Sequence, residues 1–237
     1  MAEQDEVYER IVRSFPEIYM TIVGIIQGLT LGYLVFYIDN QYSKFGLSEW
    51  ALTFNVFLAI VVTWTEYAIN TLTFRWIPGM LDAVVPLCIG ASEVFTIHSI
   101  RWLSSWLFGT GAISAFAWLA FYNLFQERKN AGAYNSRALL KALKTHEWLA
   151  YGLTVAGAII AIAAGAIVVI NDRPSIIKLT HPFIAPNTLH TVFPFMFTLI
   201  ILVFFIRGMA YWNAIKRFAT KHNASVVPTL PRRSADD

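Results

Sequence analysis

Asp82 and Glu93 both lie in the stretch PGMLDAVVPLCIGASEVF, residues 79 to 96, with Pro86 between them. The rest of the stretch is apolar enough for lipid, so two carboxylates there need a reason. An ionisable side chain near the centre of a membrane helix costs at least about 2.5 to 3.5 kcal/mol. Their spacing equals about three turns of helix, which puts both on nearly one face. Pro86 has no amide hydrogen, so it releases the carbonyl four residues earlier, and that carbonyl belongs to Asp82. A carboxylate and a free carbonyl in one small volume suit a cation, a proton, a water or a guanidinium.

Glu66 and Arg207 supply further charges inside apolar runs. Counted from the ends of the spans given below, Glu66, Asp82 and Arg207 lie at one depth, about 9 Å from the inner boundary. A guanidinium fork can satisfy two carboxylates. The expectation is that Arg207 pairs with Asp82, leaving Glu66 as the carboxylate that exchanges a proton or cation. A proline kink with a purely structural ion pair fits the same residues. Gln27 sits near mid-bilayer and needs a partner, which another helix or a solute would provide.

Other chemistries are poorly served. Glu93 with His98, His181 and His190 has the ligand types for zinc or copper, but no H-x-x-x-H or similar spacing accompanies them, and surface histidines are the better reading. Cys88 is the single cysteine, so no intramolecular disulfide forms, and an inert buried thiol is expected. Nucleophile elbows, phosphate loops, zincin motifs and DNA-binding signatures are all missing. No cofactor and no nucleic acid partner is expected. With no catalytic constellation, an enzyme ranks last among the functional readings.

The elements that must position these residues follow from composition. Of 237 residues, 57% are hydrophobic and 14% charged, about half the charge of a soluble domain. The apolar runs are too long for soluble core helices and do not alternate as barrel strands do. The fold expected is all-α: a polytopic membrane protein whose partner is the lipid bilayer. Six spans are expected, at about 15–38, 50–72, 76–98, 103–125, 148–170 and 191–213. A polar segment, 1–14, precedes this 15–213 domain, and a basic tail, 214–237, follows it.

Basic residues give the orientation. With the N-terminus inside, the inner segments hold Arg10, Arg13, Arg75, Arg128, Lys129, Arg137, Lys141, Lys144, Lys216, Arg217, Lys221, Arg232 and Arg233. The outer loops hold only Lys44, Arg101, Arg173 and Lys178. Both termini are therefore expected in the cytoplasm, and the protein in a bacterial cytoplasmic membrane. SRALLKALKTHEW, residues 136–148, reads as a short interfacial helix or an extension of span five. Residues 171–190 read as an irregular proline-containing outer loop. The tail beyond Asn223 reads as disordered.

Two stripes of small residues at four-residue spacing signal close helix packing. They are Gly24, Gly28 and Gly32 in span one, and Gly157, Ala161 and Gly165 in span five. Two functional readings lead. One is translocation of a proton, ion or small polar solute past Glu66, Asp82 and Glu93, with Gln27 nearby. The other is an accessory or scaffold subunit of a larger membrane complex. A homo-oligomer or a heteromeric assembly suits either.

Overall fold

Where water is scarce, a backbone amide or carbonyl finds its partner within its own helix. The structure, a computed structural model, follows that rule and describes residues 2–74, 79–130, 137–172 and 186–223. The described residues form α1 (Ala2–Gln41), a 3-10 turn (Tyr42–Lys44), α2 (Leu47–Thr73), α3 (Met80–His98), α4 (Leu103–Asn130), α5 (Arg137–Asp172) and α6 (Pro186–Asn223). All six α-helices are long and apolar enough to cross a membrane. Leu29, 71% exposed, and Leu199, 66% exposed, belong to a broad outward display of large apolar side chains. Water tolerates such a surface badly and lipid tolerates it well. The chain is thus consistent with a multi-pass membrane protein.

Each helix packs against two principal neighbours, and the order closes on itself: α1, α2, α6, α5, α4, α3 and back to α1. Two apolar clusters mark the ends of this ring. One joins Tyr19, Ile69, Phe74, Leu143 and Tyr211, at the end that carries the chain termini. The other gathers Leu34, Leu52, Ile97, Trp106, Val168 and Phe197 at the opposite end. There Trp106 meets Phe197 edge to face, with centroids 5.7 Å apart, a geometry worth about 0.5 to 1.5 kcal/mol beyond burial.

Helix starts explain two polar residues. The Gly46 amide donates to the Glu49 carboxylate at 2.9 Å. The Gly79 amide donates to Asp82 Oδ2 at 2.7 Å. Each acid thus satisfies a donor that the first turn leaves over, and its charge complements the positive helix end. Helix α3 starts at Met80, not at Trp76, so Asp82 stands in its first turn instead of a turn and a half inside. Trp76 lies outside the described residues, as do the loop 173–185 with His181 and the tail from 224. The KALKTHEW segment runs into α5 without a break.

The two small-residue stripes differ in use. A Cβ built on Gly157 would come 3.3 Å from Ser114 Oγ, and one on Gly165 would come 3.2 Å from the Phe108 ring, so this stripe abuts α4. Ala161, between them, is fully buried. Gly24, Gly28 and Gly32 have nothing of the described chain within 4 Å of such a Cβ. The tightest helix crossings use other glycines. Gly90 lies against Ile26 of α1, Gly109 against Thr96 and Phe95 of α3, and Gly111 against Ile162 of α5.

Candidate functional site: a central cavity and its ion pair

Six helices in a closed ring leave an axial space if the inward side chains do not fill it. Here a cavity of about 140 Å³ remains, with residues of all six helices on its wall. At the roughly 30 Å³ that each water occupies in the liquid, it has room for about five waters or one small solute. Most of the wall is apolar, from Val56, Val85, Ile89, Ile113, Phe197 and Ile201. Asn55, Tyr67, Asn70, Thr110, Asn123 and Thr154 add polar groups, and Glu66 and Asp82 add carboxyls. Two buried polar atoms of wall residues have no hydrogen-bond partner among the described residues: Glu66 Oε2 and Trp106 Nε1. Buried polar atoms are rarely left so unless a water or a ligand serves them.

Glu66 is the junction of the site. Its Oε1 accepts a hydrogen bond from Arg207 Nη2, and both residues are buried. Arg207 Nη1 donates to the His146 carbonyl at 3.2 Å. The guanidinium also faces the rings of Tyr211 and Phe121, at 5.7 and 6.0 Å from their centroids. Such contacts favour a cation where water is scarce. One turn along α2 from Glu66, the Asn70 amide donates to the Glu66 carbonyl at 2.7 Å.

The pair also has a place in the layout of space. A second cavity, of about 260 Å³, lies between α2, α4, α5 and α6 towards the terminus-bearing end. Glu66, Asn70, Phe121 and Leu124 line both cavities, whereas Arg207 lines only the second. The Glu66–Arg207 pair thus forms part of the partition between them. Gly208 makes room for it, since a Cβ there would come 3.1 Å from Glu66 Oε1.

Asp82 does not take the guanidinium that the sequence assigned to it. Its Oδ2 accepts from Gly79, and its Oδ1 accepts from Asn123 Nδ2 of α4 at 3.1 Å. The reason is the helix order: α6 packs beside α2 and α5, while α3 packs beside α1 and α4. Glu66, not Asp82, therefore holds the guanidinium. Pro86 lies within α3, where it cannot donate to the Asp82 carbonyl.

Glu93 is fully buried on the same face of α3 as Asp82, but it is not on the cavity wall. Gln27 and Thr30 of α1 and Thr63 of α2 face its carboxyl. His98 stands apart at the exposed end of α3, near Tyr33 Oη at 3.5 Å and beside the Tyr37 and Trp102 rings. His190 falls in α6, and its side chain is outside the described set. Among the described residues, no three His, Cys, Asp or Glu side chains gather as a metal site.

Asn55 and Asn123 went unnoticed in the sequence. Asn55, fully buried on α2, donates to the Pro194 carbonyl of α6 at 2.8 Å and accepts from Thr198 at 2.7 Å. The α2–α6 seam is therefore held by polar contacts on both sides of the cavity: Asn55 at one end, Glu66 and Asn70 at the other. A buried amide inside a membrane-length run was the available signal, applied at the sequence level only to Gln27.

No protein-family model, no curated protein and no solved structure matches the chain.

Proposed function

We propose that the chain is a multi-pass membrane protein with both termini in the cytoplasm, and that it passes a proton, an ion or a small polar solute through the central cavity. The observation that carries this reading is the central cavity itself, walled by all six helices, with polar atoms on residues of its wall lacking partners among the described residues. A bundle that served only as a spacer would gain by filling that space, because unfilled volume costs roughly 24 cal/mol per Å³ in packed cores. The Glu66–Arg207 pair serves as the inner barrier. It must part for cargo to move between the two cavities, and a buried charge pair shuts such a path against leakage until cargo or a neighbouring helix displaces it.

An accessory-subunit role is the second reading, and the open stripe Gly24, Gly28 and Gly32 favours it. These glycines leave a smooth strip on the outer face of α1 on which a neighbouring helix could lie. The two readings separate in sealed proteoliposomes by replacing Ala117, on the cavity wall. Radioactive sodium uptake and dye-reported proton flux would be measured for the parent and for Ala117→Trp. Translocation predicts flux in the parent and its loss when the indole fills the cavity. A parent as tight as empty liposomes to both ions, and to a panel of small polar solutes followed by light scattering, would leave the accessory role.

A further inference from the structure

On the outside of the bundle, α2 and α6 leave a groove of about 300 Å³ between them. Trp64 and Ala68 line one side, Phe205, Met209 and Trp212 the other, and Gly208 and Glu66 complete the wall. Trp64 and Met209 are each 47% exposed, so the groove opens sideways, where a multi-pass chain meets lipid. From Phe204 to Trp212 it follows α6 for about 12 Å at the helical rise. That is most of one leaflet's share of a hydrocarbon core about 30 Å thick.

The end of the groove sets it apart from an ordinary apolar seam. Phe205, Met209, Trp212 and Lys216 follow one face of α6 at three- and four-residue spacing. The Lys216 Nζ atom stands over the Trp212 ring, 5.3 Å from its centroid. Lys216 and its neighbour Arg217 are both exposed. Glu66 is the only acid among the described groove residues, and it is paired with Arg207.

An apolar channel that ends at an indole and then at a cation matches a lipid in order: tail, interface, phosphate. We propose that the groove binds one anionic phospholipid from the leaflet on the side of the termini. One acyl chain lies between α2 and α6, and the phosphate lies at Lys216. Charge selects the class. Lys216 and Arg217 attract a headgroup of net negative charge, whereas a zwitterionic headgroup also brings them an ammonium of like charge. The bound chain covers the outer side of Glu66, so the lipid backs the ion pair. The site needs a membrane but no flux, so it stands apart from the translocation reading.

The test uses the full chain, delipidated in mild detergent. Phosphatidylglycerol and phosphatidylcholine with identical acyl chains would be titrated in. Native mass spectrometry counts the bound lipid, and the rise in melting temperature reads its affinity. One phosphatidylglycerol per chain should be retained, about fivefold or more tightly than phosphatidylcholine. Lys216→Gln should remove most of that preference, and the residue is exposed, so the fold should survive. Ala68→Phe fills the groove and should weaken both lipids. Equal affinity for the two lipids in the parent would overturn the proposal, as would a preference that persists in Lys216→Gln. Unchanged phosphatidylglycerol binding in Ala68→Phe would place the lipid outside the groove. Displacement by glycerol phosphate, a headgroup without a chain, would reduce the site to the lysine and overturn it too.

Discussion

Arg207→Leu is expected to lower stability by about 3 to 5 kcal/mol, because it leaves the buried Glu66 carboxylate without its countercharge. Adding Glu66→Gln should recover most of that loss, since a pair replaced at both ends strands neither charge. The structure further predicts which carboxylate shows this rescue. Glu66 and Arg207 should be coupled by more than about 1 kcal/mol in a double-mutant cycle, whereas Asp82→Asn and Arg207→Leu should add to within about 0.5 kcal/mol. Asp82 answers to Gly79 and Asn123, so its removal frees a helix start and an α3–α4 link and does not disturb the guanidinium. Thermal unfolding in detergent, read for all single and double variants, checks the pattern. Rescue by Asp82→Asn in place of Glu66→Gln would reverse the assignment.

Gly109→Leu is expected to be the other severe change. Even the first carbon of the new side chain would come 3.0 Å from the Phe95 ring and 3.2 Å from Thr96 Cβ. Thr96 is buried and β-branched, so it cannot swing aside. Overpacking of this kind costs about 1 to 3 kcal/mol, and the α3–α4 crossing would have to widen along its length. Gly28→Leu makes the informative contrast, because it meets nothing of the described chain. Its melting temperature should match the parent in detergent. A fall in particle mass with Gly28→Leu, without a fall in stability, would show that this strip holds a neighbouring chain. Equal stability of Gly109→Leu and the parent would refute the packing described.

Much of this arrangement was legible in the sequence, and the misses have physical causes. Six helices follow from runs longer than a soluble core needs, a signal that depends only on local composition. The start of α3 was misplaced because the residues before Gly79 include Trp76 and Ile77, which extend the apolar run. The Pro78-Gly79 break and an acid at the third helical position were the better guide. The partner of Arg207 was misread for a different reason. Equal depth along the helices says nothing about which helices are adjacent, and the ring order that sets α6 beside α2 is a property of the whole bundle. Gly90, Gly109 and Gly111 were overlooked because they lack the four-residue period that drew notice to α1 and α5. A single glycine suffices where two helices cross at an angle and touch at one point.

If the bundle translocates, a hydrated cavity lies behind the Glu66–Arg207 pair. Ser114 lies on the cavity wall, in the middle of α4, and in a Cys88→Ala background Ser114→Cys would carry the only thiol. In sealed vesicles, a small charged thiosulfonate reagent would be applied from the side bearing the termini. Its reaction rate would be compared with the pair intact and with the pair removed by Glu66→Gln and Arg207→Gln together. Modification should be slow behind the intact pair and rise about tenfold or more once it is gone, as for a barrier lowered by at least about 1.36 kcal/mol. Equal rates with and without the pair, or a thiol that reacts in neither, would contradict it.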